Sequence, residues 1–180
     1  MEHFFYCITF EKTIHMKIFR SVLLLFVLAT ILMACPYKSA VGIDDGPAVK
    51  MNTDLLGTWR KSSYPADSTQ LIFTKINAKK YLVKATTSDN DGGYERSTFE
   101  IWFSAISNRQ LITLYDTENK KYSFGELELL GNHLDIKLFS EDITTEQFTS
   151  VAAMRKFIET MYTSHAVKFD DDTDLTDLVK

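Results

Sequence analysis

"YERSTFEIWFSAISNRQLITLYD", Tyr94 to Asp116, decides how the body of this chain folds. Its two halves, YERSTFEIWFSAI and QLITLYD, are rich in β-branched and aromatic residues, which suit a pleated, half-buried surface. In the first half Phe99, Ile101, Phe103 and Ala105 fall on one side of a strand. The join at Ser107-Asn108-Arg109 has turn chemistry, and Asn tolerates the positive φ of a tight reversal. The stretch reads as an antiparallel hairpin.

The pattern extends in both directions. TQLIFTKI (Thr69 to Ile76) and KYLVKATT (Lys80 to Thr87) precede it, and KKYSFGELELL and NHLDIKLFS follow. Turn residues separate them at Asn77, Asp89, Thr117 and Gly131. Connections this short make neighbouring strands antiparallel and sequential, so the fold class is mainly β, an up-and-down meander. Leu134, Ile136 and Leu138 should face inward, with His133, Asp135 and Lys137 toward water. In YSFGELELL the apolar phase moves from Tyr122 and Phe124 to Leu127 and Leu129, which predicts a β-bulge at Gly125.

One helix is expected near the C-terminus, over about 145–163. Thr144 and Gln147 stand in capping-box spacing, and Phe148, Val151, Ala152, Ile158, Met161 and Tyr162 fall near one helical stripe. The stripe reads as a lid packed on the sheet rather than a cofactor or partner surface. HAVKF and LTDLV then supply one or two closing strands around Asp170-Asp171-Asp172.

The chain's 180 residues, 45% of them hydrophobic, suit one domain plus a leader. A net charge of −4 with no Lys/Arg block argues against nucleic-acid binding, which needs a basic face. Both cysteines, Cys7 and Cys35, lie ahead of the body, which therefore has no disulfide and no thiolate metal site. That suits an oxidising compartment.

The leader is MKIFRSVLLLFVLATILMAC, Met16 to Cys35. Lys17 and Arg20 form a positive start, Val22 to Ala34 an apolar run, and a small residue precedes Cys35. As a helix the apolar run spans about 20 Å, against about 30 Å for a bilayer core, so a removable signal is expected rather than a span. Residues 1–15 carry Glu2 and Glu11 where a signal wants positive charge, so they read as an upstream extension, with translation starting at Met16. Leu32-Met33-Ala34-Cys35 resembles the lipobox of bacterial lipoproteins. The resemblance implies a diacylglycerol on the Cys35 thiol, cleavage between Ala34 and Cys35, and acylation of the new amino terminus. Several chains suit a stable anchor, since one alone holds marginally and each buried methylene adds about 0.8 kcal/mol. An ordinary signal peptide with a chance cysteine is the alternative. Residues 35–53, with two prolines and two glycines, read as a tether. Pro36 stands where Asp would signal inner-membrane retention in enterobacteria, so the resemblance points to the outer membrane, facing the periplasm.

The body, 54–180, opens with Asp54-Leu55-Leu56-Gly57-Thr58-Trp59-Arg60. Gly57 and Trp59 resemble the Gly-x-Trp opening of lipocalin-like domains, and the meander resembles small bacterial lipoproteins that begin with a similar motif. The family implies a meander closing into a barrel, with the Trp plugging one end and an Arg from a late strand often packed on it. Lipocalins place their main helix after the eighth strand, whereas here it precedes the last one or two. An eight-strand barrel is either filled by side chains or holds one small ligand. With Phe99, Phe103 and Ile136 as inward candidates, a mostly filled interior with at most a small pocket is expected.

Catalytic and metal motifs are not found. His133 and His165 each stand alone, and zinc needs three or four ligands within reach. Glu126 and Glu128 share a strand face, but acid–base work needs burial to push their pKa values apart. Ser88 to Gly93 lacks the earlier Asp and the closing Glu of a calcium loop, and in Asp170 to Asp174 Leu175 stands where that loop needs Gly. No metal, cofactor or catalytic residue is expected. The function read from the chain is a non-catalytic envelope lipoprotein, held in the membrane through Cys35, binding a small apolar ligand or serving envelope maintenance. The alternative is an adaptor that binds another envelope protein and no small ligand. An enzyme of unrecognised type ranks last.

Overall fold

Eight strands form a closed barrel in which each strand pairs antiparallel with the next and β8 returns to β1. The computed structural model describes residues 36–62, 69–88, 93–171 and 175–180. The chain divides into two units, Met1–Ala34 and Cys35–Lys180, and every described residue belongs to the second. The extension at 1–15, the signal at 16–34, the cleavage pair Ala34 and Cys35, and parts of both acidic stretches lie outside the described residues.

The strands are β1 (Gly57–Lys61), β2 (Thr69–Lys75), β3 (Lys80–Ser88), β4 (Tyr94–Ile106), β5 (Arg109–Asp116), β6 (Lys121–Leu130), β7 (His133–Leu138) and β8 (Leu178–Val179). The β4–β5 hairpin pairs as its alternation implies, from Phe99 opposite Asp116 to Ile106 opposite Arg109. Its turn puts the positive φ on Ser107, not Asn108. The β6–β7 turn uses Gly131 at φ +64°. The β2–β3 and β5–β6 turns are held by side-chain acceptors, the latter with Lys120 also at positive φ. Asn77 Oδ1 takes the amides of Lys79 and Lys80, and Asp116 Oδ1 takes those of Glu118 and Asn119.

Inward alternation gives the first core. Trp59, Phe73, Tyr81, Phe103, Leu134 and Ile136 are buried in it, and Phe99 packs against it half-buried. A second core lies outside the wall formed by β4, β5 and β6. There Ile106, Leu111 and Phe124 meet Phe139, Met154 and Ile158. Between the two, Ser104 and Thr113 are fully buried on the outer face, where their hydroxyls bond each other at 2.8 Å.

This second core corrects the bulge expected at Gly125. β6 keeps one register with β5 from Lys121 to Gly125 and one with β7 from Gly125 to Leu130. Tyr122 and Phe124 are apolar because the outer wall is covered, and Leu127 and Leu129 because they turn toward the barrel core. Gly125 stands where β6 leaves β5 and continues along β7 alone. A Cβ there would meet the Lys137 carbonyl oxygen at 2.1 Å, so close backbone approach requires the glycine.

The helix, α1, spans Val151–Thr163, later than expected. Ser150 caps it, its Oγ accepting the Ala153 amide at 3.3 Å, whereas Thr144 Oγ1 takes the Glu146 amide in a local turn. Starting at Ser150 lets the buried Phe148 fold back on Phe157, with ring centroids 4.9 Å apart. As expected, α1 packs on the sheet, burying Met154 and Ile158, while Ala152 is exposed. α1 lies between β7 and β8, and Phe169 of HAVKF bridges to Phe139 beside the end of β7.

Residues 36–53 are no free spacer. Tyr37, Ser39 and Ile43 are buried, and Pro36 and Ser39 bridge to Ser140 and Tyr122. Farther on, Trp102 Nε1 donates to Asp44 Oδ1 at 3.0 Å, and the Met51 amide donates to the Ala78 carbonyl. Composition alone suggested looseness; the buried Tyr37 and Ile43 find apolar partners on the outer wall.

Candidate ligand cavity

The two ends of the barrel are built from different residues. At one end a short 3-10 turn, Thr53–Leu55, caps the interior just before Gly57 starts β1. Trp59 is fully buried there and donates from Nε1 to the Leu55 carbonyl at 2.8 Å. Tyr81 stands between Phe73 and Phe103 in edge-on pairs at 5.9 and 6.2 Å. Its hydroxyl donates to the Asn52 carbonyl at 2.9 Å, and burial pushes its pKa up to about 12. The cation over Trp59 is the chain's last residue. Lys180 Nζ lies 5.4 Å from the ring centroid and donates to the Asp54 carbonyl at 2.7 Å. Gly57, at φ +125°, leaves room for that lysine, since a Cβ would stand 3.1 Å from its Cε. The motif pair Gly57 and Trp59 is thus a plug.

Toward the other end the interior opens into a cavity of about 310 Å³. Leu71, Val83, Ile101, Leu114, Ile136 and Leu138 form its apolar part. The cause is a taper in side-chain size. Along β3 the inward series runs Tyr81, Val83, Ala85, Thr87, and along β4 it runs Phe103, Ile101, Phe99, Ser97. Rings crowd the Trp59 half, while beyond Val83 and Phe99 the small alanine, serine and threonine leave the other half open. The interior, expected to be mostly filled with at most a small pocket, is filled at the Trp59 end and leaves a cavity of about 310 Å³ toward the other.

The lining also includes Lys38, Glu95, Asp116, Asn119, Lys121 and Ser123. Burial works against ionisation of Asp116. It is outweighed by bonds from the Asn119 side chain and the Asn119 and Glu118 amides, and by the charge of Lys38, which together hold the carboxyl below its ordinary value. An apolar floor under polar groups of both signs suits a molecule with an apolar body and a polar end.

Among the described residues weighed for chemistry, His133, His165, Glu126 and Glu128 do not line the cavity. His133 opens β7 and His165 follows α1; both are exposed and neither lines the cavity. Glu126 is a structural partner of α1, accepting the Tyr162 hydroxyl at 2.8 Å, with Arg109 at 3.6 Å. Burial, and then the adjacent Glu126, push the Tyr162 pKa up. Arg109 sits over the Tyr162 ring at 4.6 Å, and Arg155 donates to the Ala105 carbonyl at 2.6 Å, fixing α1 to the wall. Among the described residues no three His, Cys, Asp or Glu side chains could hold a metal ion, and no helix is long and apolar enough to cross a membrane. The inward reading from sequence found Phe99, Ile101 and Ile136 but missed Lys38, Asp116 and Lys121. Comparison with protein-family models, curated proteins and solved structures finds no match.

Proposed function

We propose that this chain is a lipid-anchored envelope protein, acylated at Cys35, whose barrel binds one small apolar or amphiphilic molecule without transforming it. The cavity carries the ligand part of this reading. Its volume of about 310 Å³ lies at the lower end of ordinary small-molecule sites, roughly 300–1,000 Å³, and its floor is apolar. The signal layout ending in Leu32-Met33-Ala34-Cys35 supports the anchor, and Pro36 directly after it supports an outer-membrane location facing the periplasm. Acyl chains on Cys35 would make the membrane the standing partner.

Native mass spectrometry of the protein purified from its own envelope tests both parts. The expected result is a mass carrying acyl groups at Cys35 and a retained small molecule that leaves on activation. A protein with no retained molecule but a stable co-purifying envelope protein would favour the adaptor reading instead. For the anchor, Cys35→Ala should abolish lipid labelling and leave the precursor uncleaved; continued labelling would overturn it.

A further inference from the structure

We propose that the barrel turns its open end to the bilayer surface, held there by the docked segment that follows Cys35. This rests on the acylation of Cys35 proposed above, because the acyl chains are what reach the membrane. The residues next to the anchor lie at the cavity: Pro36 and Lys38 both contribute to its lining. They are fixed in place. The Tyr37 amide donates to the Phe139 carbonyl, and Ser39 and Tyr122 exchange a pair of backbone bonds, all at 2.8 Å. Tyr37 and Ser39 are 6% and 2% exposed. Cys35 is one peptide unit from Pro36, about 3.8 Å between Cα atoms, so the anchor has almost no slack.

The course of the segment makes this informative. From Ser39 it follows the outer wall, burying Ile43 and placing Asp44 at Trp102, and reaches the closed end where Met51 bonds Ala78. Undocked, 21 residues ahead of Gly57 would reach up to about 70 Å and favour neither end. Docked, they carry the anchor point from the closed end, where β1 begins, to the open one. Exposed apolar side chains do not make this choice. Tyr94 is exposed near the cavity end, but Ile76 and Leu130 are exposed near the closed end. Charge does not make it either, since Lys38 and Lys121 share the opening with Glu95 and Asp116. The orientation should therefore be insensitive to salt, unlike one set by a basic patch.

The test uses the full chain, processed in a bacterial envelope and reconstituted in phosphatidylcholine vesicles that carry a nitroxide on the headgroup. A fluorophore is placed by Glu118→Cys, in the turn after β5, or by Asn132→Cys, in the turn after β6 at the closed end. Headgroup quenching should be several-fold stronger at position 118 than at 132, in low and high salt alike. A flexible Gly/Ser insert of about 16 residues between Cys35 and Pro36 has a root-mean-square reach of about 22 Å and leaves the docked residues untouched. It should erase the difference. Equal or reversed quenching without the insert, on protein whose mass shows acylated Cys35, would overturn the orientation alone. Protein whose mass shows an unmodified Cys35 would overturn the anchor and the orientation together.

Discussion

The two halves of the barrel interior share strands, register and alternation, yet one is a solid plug and the other a cavity. At the plugged end Trp59, Phe73, Tyr81 and Phe103 fill the cross-section, and their polar atoms are satisfied by the Leu55 and Asn52 carbonyls. At the open end the same strands place Ala85, Ser97, Thr87 and Ser123 inward. Closing a sheet of eight strands fixes the width of the interior, and side-chain volume decides whether it is occupied. The fold therefore stands on one half and leaves the other available for binding. Changes in the two halves should have opposite signatures.

The largest effect should come from the plug. Trp59→Ala removes the ring, the bond to Leu55 and the seat of Lys180, and should cost about 3–5 kcal/mol. Urea unfolding measures it, and a midpoint near that of the parent would mean that this end does not hold the barrel. Next comes Gly125→Ala, where the added methyl meets the Lys137 carbonyl and must push β6 from β7. About 1–3 kcal/mol of destabilisation is expected, read by thermal unfolding. At the open end Ser97→Phe should change stability by less than about 1 kcal/mol, because the ring enters empty space. The same change should abolish a retained ligand in native mass spectrometry. Loss of ligand with little loss of stability is the pattern that separates the two halves.

The smallest effect concerns Asp116. Its folded-state pKa is lowered, so its contribution is fully present above the ordinary aspartate value, about 3.9, and is lost as pH falls through the lower folded value. Asp116→Asn should lower the urea midpoint slightly at neutral pH. The gap from the parent should close in acid. A gap that persists at pH 2 would place the effect in the turn's geometry rather than its charge.

Much of this was legible in the sequence, and what was missed has a common cause. The meander, its sequential pairing and the inward sets Ile101/Phe103 and Leu134/Ile136/Leu138 follow from period-two alternation. Tyr122, Phe124 and Gly125 misled because a phase shift resembles a bulge when only one face is assumed to be covered. Here both faces are covered, the outer one by α1 and residues 36–53, which no local pattern in β6 discloses. The helix start slipped from Thr144 to Ser150 because two Ser/Thr caps compete, and burial of Phe148 against Phe157 chooses between them. The cavity was present in the sequence as the taper from Tyr81 to Thr87 and from Phe103 to Ser97. Its meaning depended on which strand ends meet around one opening. Lys38 could not be placed by strand pattern, since its position comes from docking.

The central claim is that an apolar molecule occupies the open half and leaves the plugged half untouched. Methyl-resolved nuclear magnetic resonance, with a medium-chain fatty acid as the probe, tests it most directly. Saturable shifts should appear at Val83, Leu114 and Leu138, while Leu55 and the outer-wall Met154 and Ile158 stay in place. Shifts confined to Met154 and Ile158, or none up to the solubility of the probe, would contradict it.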